Sequence, residues 1–246
     1  MNKPQTIAVE FKHVMKSFGM KCVLNDVSFH VDQGQALCLL GRSGTGKSVT
    51  LKLIMALMGP DAGEVWVDQN NVVGMGEKRL SLVRRKLGYL FQDAALFDSL
   101  TLYENLALPL SRLTSKSKEE IDDVIHRVLT DVGLGSDGEK YPAALSGGMK
   151  KRAGLARALV LEPKILLADE PSSGLDRITA AEIDELLIRC KTERGTALIV
   201  VTHDAHGARR VADRIAVLDQ GNLVAFGSVN EVSQSENDVA RKLIRE

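Results

Sequence analysis

The chain has 246 residues, with 32 Lys and Arg against 32 Asp and Glu, so its formal net charge is zero. Such a balance gives no overall pull toward nucleic acid or acidic lipid, and no nucleic-acid partner is expected. The length suits one sizeable core with a smaller lobe, or two small domains, and no apolar run approaches the roughly 18 residues needed to span a bilayer. Residues 1–6 lead into an alternating strand, which is not a signal-peptide pattern. The chain itself is therefore expected to be soluble, with any membrane role reached through a partner. Cys22, Cys38 and Cys190 are scattered and odd in number. They show neither a disulfide framework nor metal-ligand spacing, and read as core filler in a reducing compartment.

In chain order, Ile7–Phe11 and Val23–Val31 alternate and read as antiparallel strands. Phe18 lies in their connection, either as a core residue or as an aromatic face on which an adenine ring stacks. Ala36–Leu40 is an apolar run of strand length, and Val49–Leu57 carries apolar residues at helical spacing. Between them stands Gly41-Arg42-Ser43-Gly44-Thr45-Gly46-Lys47-Ser48, the pattern G-x-x-x-x-G-K-S. Glycines let the backbone approach phosphate oxygens, and successive N–H groups at a helix start supply donors and partial positive charge. In this pattern Lys47 can reach the outer phosphates and the Ser48 hydroxyl can ligate magnesium. ATP and Mg2+ are the expected ligands.

Further on, Glu64–Asp68 reads as a strand with Trp66 as a packing residue. Lys78–Lys86 reads as a short helix whose Arg84-Arg85-Lys86 run forms a solvated face. Leu87–Phe91 is another strand, ending at Gln92, where a sheet edge should meet the nucleotide. Gln92 either touches magnesium or the attacking water, or merely caps the strand. From about 93 to 160 helical signals take over, at Leu102–Leu110, Ser117–Val132 and Met149–Leu159. Ser117-Lys118-Glu119-Glu120 opens its helix with a capping box. Strands return at Ile165–Ala168 and Ala197–Val201, with a helix over 178–191 between them, a hairpin over 215–226 and, from Asn237 to Glu246, a short helix that is either docked or frayed.

Asp169 and Glu170 end one apolar strand and His203 the next. One carboxylate beside the P-loop suits magnesium, and the next can orient and deprotonate water. His203 either senses a γ-phosphate or caps a helix. Leu145-Ser146-Gly147-Gly148-Met149 makes a second anion-binding helix start. One γ-phosphate rarely needs two such sites in one chain, which points to a symmetric dimer with nucleotide in the interface.

Taken together, these motifs resemble the ATPase subunit of an ABC transporter over essentially the whole chain. The resemblance implies an α/β P-loop NTPase core of ABC type with an antiparallel β lobe and an inserted α-helical subdomain. It implies one domain over 1–246: a RecA-like core with β lobe at about 1–92 and 161–230, a helical subdomain at about 93–160, and a tail at about 231–246. Phe18 would be the A-loop aromatic, stacking on the adenine rather than filling the core. Gly41, Ser43, Gly44, Thr45, Gly46, Lys47 and Ser48 would bind phosphate as the Walker A motif, with Thr50 counted beside them. Gln92 would be the Q-loop residue, a further magnesium contact and part of the catalytic set. Ser146, Gly147 and Gly148 would be the signature motif, Asp169 the magnesium ligand, Glu170 the catalytic base and His203 the switch. Ser173-Gly174-Leu175-Asp176 resembles the D-loop.

The usual signature ends in Gln, and here Met149 stands in its place. Met149 with Lys150-Lys151-Arg152, and Phe91–Thr101 followed by Glu104-Asn105, are similar to the ATPases of MCE-type lipid transporters, including the Mla phospholipid system. That implies a homodimer on the cytoplasmic face of the inner membrane of a diderm bacterium. Its partners would be an integral membrane permease, an MCE-domain protein and a small accessory subunit. The alternatives are another cargo, such as amino acids, lipoproteins or drugs, and an ABC-type ATPase without a membrane partner.

Overall fold

The computed structural model describes residues 6–245; the lead-in at 1–5 and the last residue of the expected C-terminal helix, Glu246, lie outside the described residues. The chain begins with β1 (Ile7–Phe18), β2 (Lys21–Asp32) and β3 (Ala36–Leu40), followed by α1 (Lys47–Ile54), β4 (Ala62–Val67) and β5 (Asn70–Asn71). Then come α2 (Glu77–Arg84), β6 (Leu87–Leu90), α3 (Leu102–Leu113), α4 (Lys118–Asp131) and α5 (Gly147–Leu159). The α/β alternation resumes with β7 (Ile165–Asp169), α6 (Arg177–Arg194), β8 (Ala197–Thr202) and α7 (Ala205–Val211). It closes on β9 (Arg214–Asp219), β10 (Asn222–Gly227), α8 (Val229–Ser233) and α9 (Asp238–Arg245).

Two sheets result. One has the order β10-β9-β3-β8-β7-β6, parallel except for the β9–β10 hairpin, and the other is antiparallel with the order β2-β1-β4-β5. Strand periodicity explains how one sheet serves two cores. Ala36, Cys38, Leu40, Leu166, Ala168, Leu198 and Val200 face a cluster shared with Leu106, Ile125 and Leu155 of α3, α4 and α5. Leu37, Leu39, Ile165, Leu167, Ile199 and Val201 face the opposite cluster, with α1, α2 and the β lobe. All of β3 is buried, as expected for a parallel strand covered on both faces. Its C-terminal end points Gly41 at the parallel sheet's ligand edge, beside the ends of β7 and β8.

The helical segment opens with two capping boxes. Thr101 accepts from the Glu104 amide and Ser117 from the Glu120 amide, and each Glu carboxylate accepts the N-cap amide in return.

Several expectations need correction. β1 and β2 run toward each other further than the alternation suggested, so Phe18 is the last residue of β1. A bulge between Phe11 and Val14, with His13 at φ 51, breaks the period-2 pattern there. Cys22 is exposed, whereas Cys38 and Cys190 are buried; all three are free thiols. Trp66 is half-buried, its indole N–H donating to Glu64 and the Lys12 ammonium lying 5.2 Å from its ring centroid. The Arg84–Lys86 run is not merely a solvated face. Arg84 donates to the carbonyls of Met55 and Ala56, satisfying orphan groups at the end of α1, and Lys86 pairs with Asp68. Unforeseen were α7 and α8, of 7 and 5 residues, too short to show a helical period.

Candidate nucleotide site

The loop after β3 is built for a close backbone approach. Gly46 caps α1 at φ 103, and a Cβ there would lie 2.7 Å from the Val23 carbonyl oxygen. A Cβ on Gly41 would lie 2.5 Å from the carbonyl of Leu218. Thr45 turns back on the loop, its hydroxyl donating to Arg42 O at 2.9 Å. Lys47 is 8% exposed, with its ammonium donating to Gly41 O at 2.7 Å and Arg42 O at 3.1 Å. Burial pulls its pKa down, and the carboxylates of Glu170 and Asp169 oppose that shift.

Opposite the lysine, the Ser48 hydroxyl donates to Asp169 Oδ1 at 3.1 Å, and the Tyr89 hydroxyl reaches Asp169 Oδ2 at 3.4 Å. Burial raises the Asp169 pKa above the usual carboxylate range, against the Ser48 hydrogen bond. Burial, with the Asp169 charge, also raises that of Tyr89. A hydroxyl and a carboxylate this close are hard oxygen donors of the kind magnesium takes, so Ser48 and Asp169 fit the ion.

Glu170 follows in a left-handed conformation, φ 47, a strained setting for a residue with a Cβ. Its Oε2 accepts from the Thr202 hydroxyl at 3.2 Å and the His203 amide at 3.4 Å, and lies 2.9 Å from His203 Nδ1. The side chain is thus aimed by the end of β8.

A cleft of about 730 Å³ is lined by residues including Phe18, Ser43, Gly44, Gly46, Lys47, Ser48, Gln92, Glu170 and His203, while Gly41, Thr45 and Asp169 stand behind that lining. Phe18 is 49% exposed at its rim, with the Lys16 ammonium 5.5 Å from the ring centroid. Thr50 is a correction: it is fully buried, its hydroxyl donates to Gly46 O at 3.2 Å, and it does not line the cleft. Four residues beyond Gly46, the helical period turns it inward.

Ser146, Gly147 and Gly148 are elsewhere. Ser146 caps α5, accepting from the Met149 amide at 3.3 Å, and it and Gly147 are exposed. Gly148 packs against α6, where an added Cβ would collide with Thr179. None of the three lines the cleft. Sequence reasoning missed Tyr89, Thr202 and Lys151, whose contacts arise only from long-range strand and helix pairing.

The ABC transporter family pattern matches residues 24–173. The chain belongs to the ABC transporter ATP-binding family. It is an ATPase that uses ATP with Mg2+. It is 42% identical over 241 residues to the probable ribonucleotide transport ATP-binding protein mkl of Mycobacterium leprae, covering 98% of this chain and 70% of that one. It is 39% identical to the methionine import ATP-binding protein MetN of Caulobacter vibrioides, covering 97% and 72%. Among solved structures it resembles the ATP-binding cassette MJ0796 in a dimeric post-hydrolysis state bound to ADP and Pi. That match has a TM-score of 0.83 at 34% identity, covering 89% of this chain and 98% of that one. The fold is also shared with cbiO1 of Clostridium perfringens, part of the transporter complex cbiONQ, at a TM-score of 0.84 and 23% identity, covering 97% and 99%. Among the described residues, no helix is long and apolar enough to cross a membrane.

Proposed function

We propose that two copies of this ABC transporter ATPase close around two ATP molecules and drive a membrane permease that moves phospholipid, in a system of the Mla/MCE type. The observation that carries the dimer is the separation just described. The lysine loop and Glu170 line one cleft, with Asp169 held behind it by Ser48, while the exposed start of α5 lies outside it. A second copy brings that helix start to the cleft, and the dimeric state of MJ0796 supports this reading.

Within the dimer, the backbone amides of Gly44–Ser48 and the Lys47 ammonium hold the phosphates, while Phe18 stacks on the base. Ser48 and Asp169, with Gln92 nearby, would hold magnesium, which would supply positive charge against the phosphate oxygens. Glu170 orients a water and takes its proton as the water oxygen bonds to the γ-phosphorus and the bond to the leaving ADP oxygen breaks. His203, fixed by Glu170, hydrogen-bonds the γ-phosphate. Loss of those contacts, and of the partner's Ser146 and Gly148 contacts, reopens the pair. ATP shifts the open–closed balance only by its differential affinity for the two forms.

Residues 93–160 would act as the lobe that passes this motion on, with 1–92 and 161–230 as the core and 231–246 as a tail. An apolar groove lined by Tyr89, Phe91, Phe97, Leu108, Pro109 and Leu113 supports docking of a permease helix near Gln92. The permease places the ATPase on the cytoplasmic face of the inner membrane, with an MCE-domain protein and a small accessory subunit in the same assembly. The phospholipid cargo rests on the Met149–Arg152 signature variant and the Phe91–Thr101 segment; the import of methionine by MetN relatives favours an amino acid as the rival cargo.

Co-purification from membranes, with mass spectrometry of proteins and lipids, tests the whole reading. An integral permease with an MCE-domain protein and bound phospholipid is expected. A permease with a periplasmic amino-acid receptor would overturn the cargo, and the absence of any integral partner would overturn the transport role.

A further inference from the structure

Lys151 has no part in the cycle outlined above, yet it is among the most enclosed charges in the chain. It lies on α5, two residues beyond Met149, and is 7% exposed. Its ammonium leaves the helix and donates to three groups on separate segments. These are the carbonyl oxygen of Gln92, the carbonyl oxygen of Glu170 at 2.9 Å and the hydroxyl of Ser173 at 3.3 Å. Ser173 in turn donates to the same Glu170 carbonyl at 3.0 Å. Three donors on Nζ thus meet three oxygens, the full capacity of an ammonium.

The Glu170 carbonyl is an unusual acceptor to fix in this way. It belongs to the residue at φ 47, whose conformation persists only where its surroundings over-determine it. The Glu170 amide is already held by Val201 O at 2.9 Å and the side chain by Thr202 and His203. Lys151 and Ser173 close the remaining side. Gln92 O, the other acceptor, opens the turn that runs through Ala94 and Ala95, both at positive φ, toward the apolar groove. Burial pulls the Lys151 pKa down, and the charges of Asp93, Glu170 and Asp169 work the other way.

We propose that Lys151 is a positioning residue for hydrolysis: one buried ammonium holds the strained backbone of Glu170 in register with the Gln92 turn, so that movement of the turn or of α5 displaces the Glu170 carboxylate. The inference rests on Glu170 acting on the attacking water. It assigns Lys151 no contact with nucleotide, because Lys151 does not line the cleft.

The test is steady-state ATP hydrolysis by the full chain with Lys151→Met, Lys151→Arg and Ser173→Ala, beside Glu170→Gln. Lys151→Met keeps the length and loses the charge. It is expected to lower kcat about 10–100-fold, the cost of misplacing a catalytic group by about 1 Å, while KM for ATP stays within about twofold. Lys151→Arg, which keeps a charge with several donors, is expected to restore most of that loss. Ser173→Ala, which leaves Lys151 in place but removes the hydroxyl that accepts from Lys151 and donates to the Glu170 carbonyl, is expected to lower kcat about two- to fivefold. An unchanged kcat in Lys151→Met overturns the proposal, as does a loss that Lys151→Arg does not relieve. If Lys151→Met does not fold, Ser173→Ala decides, and an unchanged kcat there overturns it. Normal hydrolysis by Glu170→Gln would instead bring down the reading of Glu170 itself.

Discussion

α1 and α5 both begin with glycines and without an acidic residue in the first turn, yet their starts are finished differently. At α1 the N-cap is Gly46 in the left-handed region with no side-chain cap, and the loop opens into a cleft walled by β2 and by Glu170 and His203 just past β7 and β8. At α5 the N-cap is Ser146, whose hydroxyl already serves the Met149 amide, and the turn faces outward. Every other α-helix among the described residues carries a carboxylate at its N-cap or in its first turn. Such carboxylates satisfy the helix dipole from within the chain. α1 and α5 have no such carboxylate; in the proposed dimer the nucleotide takes that role at both. The α1 start has its lysine, hydroxyl and carboxylates assembled around it, whereas the α5 start carries only its own Ser146 cap and lies outside the cleft; in the proposed dimer a second copy completes it.

The sharpest break in this contrast is Glu170→Gln. It should leave ATP binding intact and lower kcat by about 10²–10⁴-fold, the usual contribution of a general base; phosphate release measures it. Gly148→Asp attacks the other helix start, putting a carboxylate at the anion site and a side chain against Thr179. Dimerisation and turnover should fall together, while nucleotide binding to the single chain, followed by fluorescence titration, stays near that of the parent. Lys47→Ala removes the buried cation of the α1 loop and should weaken ATP by about tenfold or more, given about 1.5–3 kcal/mol for a charged hydrogen bond; calorimetry reads it.

The smallest effect separates the two starts by pH. Asp169 titrates above its ordinary 3.8 in the fold because burial penalises its charge. That penalty is absent below the unfolded pKa and grows as pH rises through the folded value. Asp169→Asn should therefore raise the melting temperature of the nucleotide-free protein at neutral pH, with the gain vanishing in acid. Gly148→Asp should show no such gain. A melting temperature unchanged by Asp169→Asn at every pH would remove the buried-carboxylate account.

Much of this was legible because the P-loop side is written in contiguous residues. Gly41–Ser48, Asp169-Glu170 and His203 each sit at the end of an apolar strand, and parallel pairing brings strand ends to one edge. The capping box at Ser117 and Glu120 was equally local. Thr50 misled because adjacency to Ser48 says nothing about which side of α1 a residue faces. Phe18 was placed in a turn because a bulge hid the length of β1. Arg84 and Lys86 read as solvated charges until their acceptors, on α1 and beyond β4, were in view. Lys151 was invisible for the same reason, since its three acceptors lie up to 59 residues away.

The most direct test of the shared-nucleotide account is sedimentation of Glu170→Gln with and without Mg-ATP, repeated with Gly148→Asp added. A monomer without nucleotide, a dimer with Mg-ATP, and a monomer again once Gly148→Asp is introduced is the expected result. A Glu170→Gln protein that binds Mg-ATP and stays monomeric, or a dimer indifferent to Gly148→Asp, would contradict it.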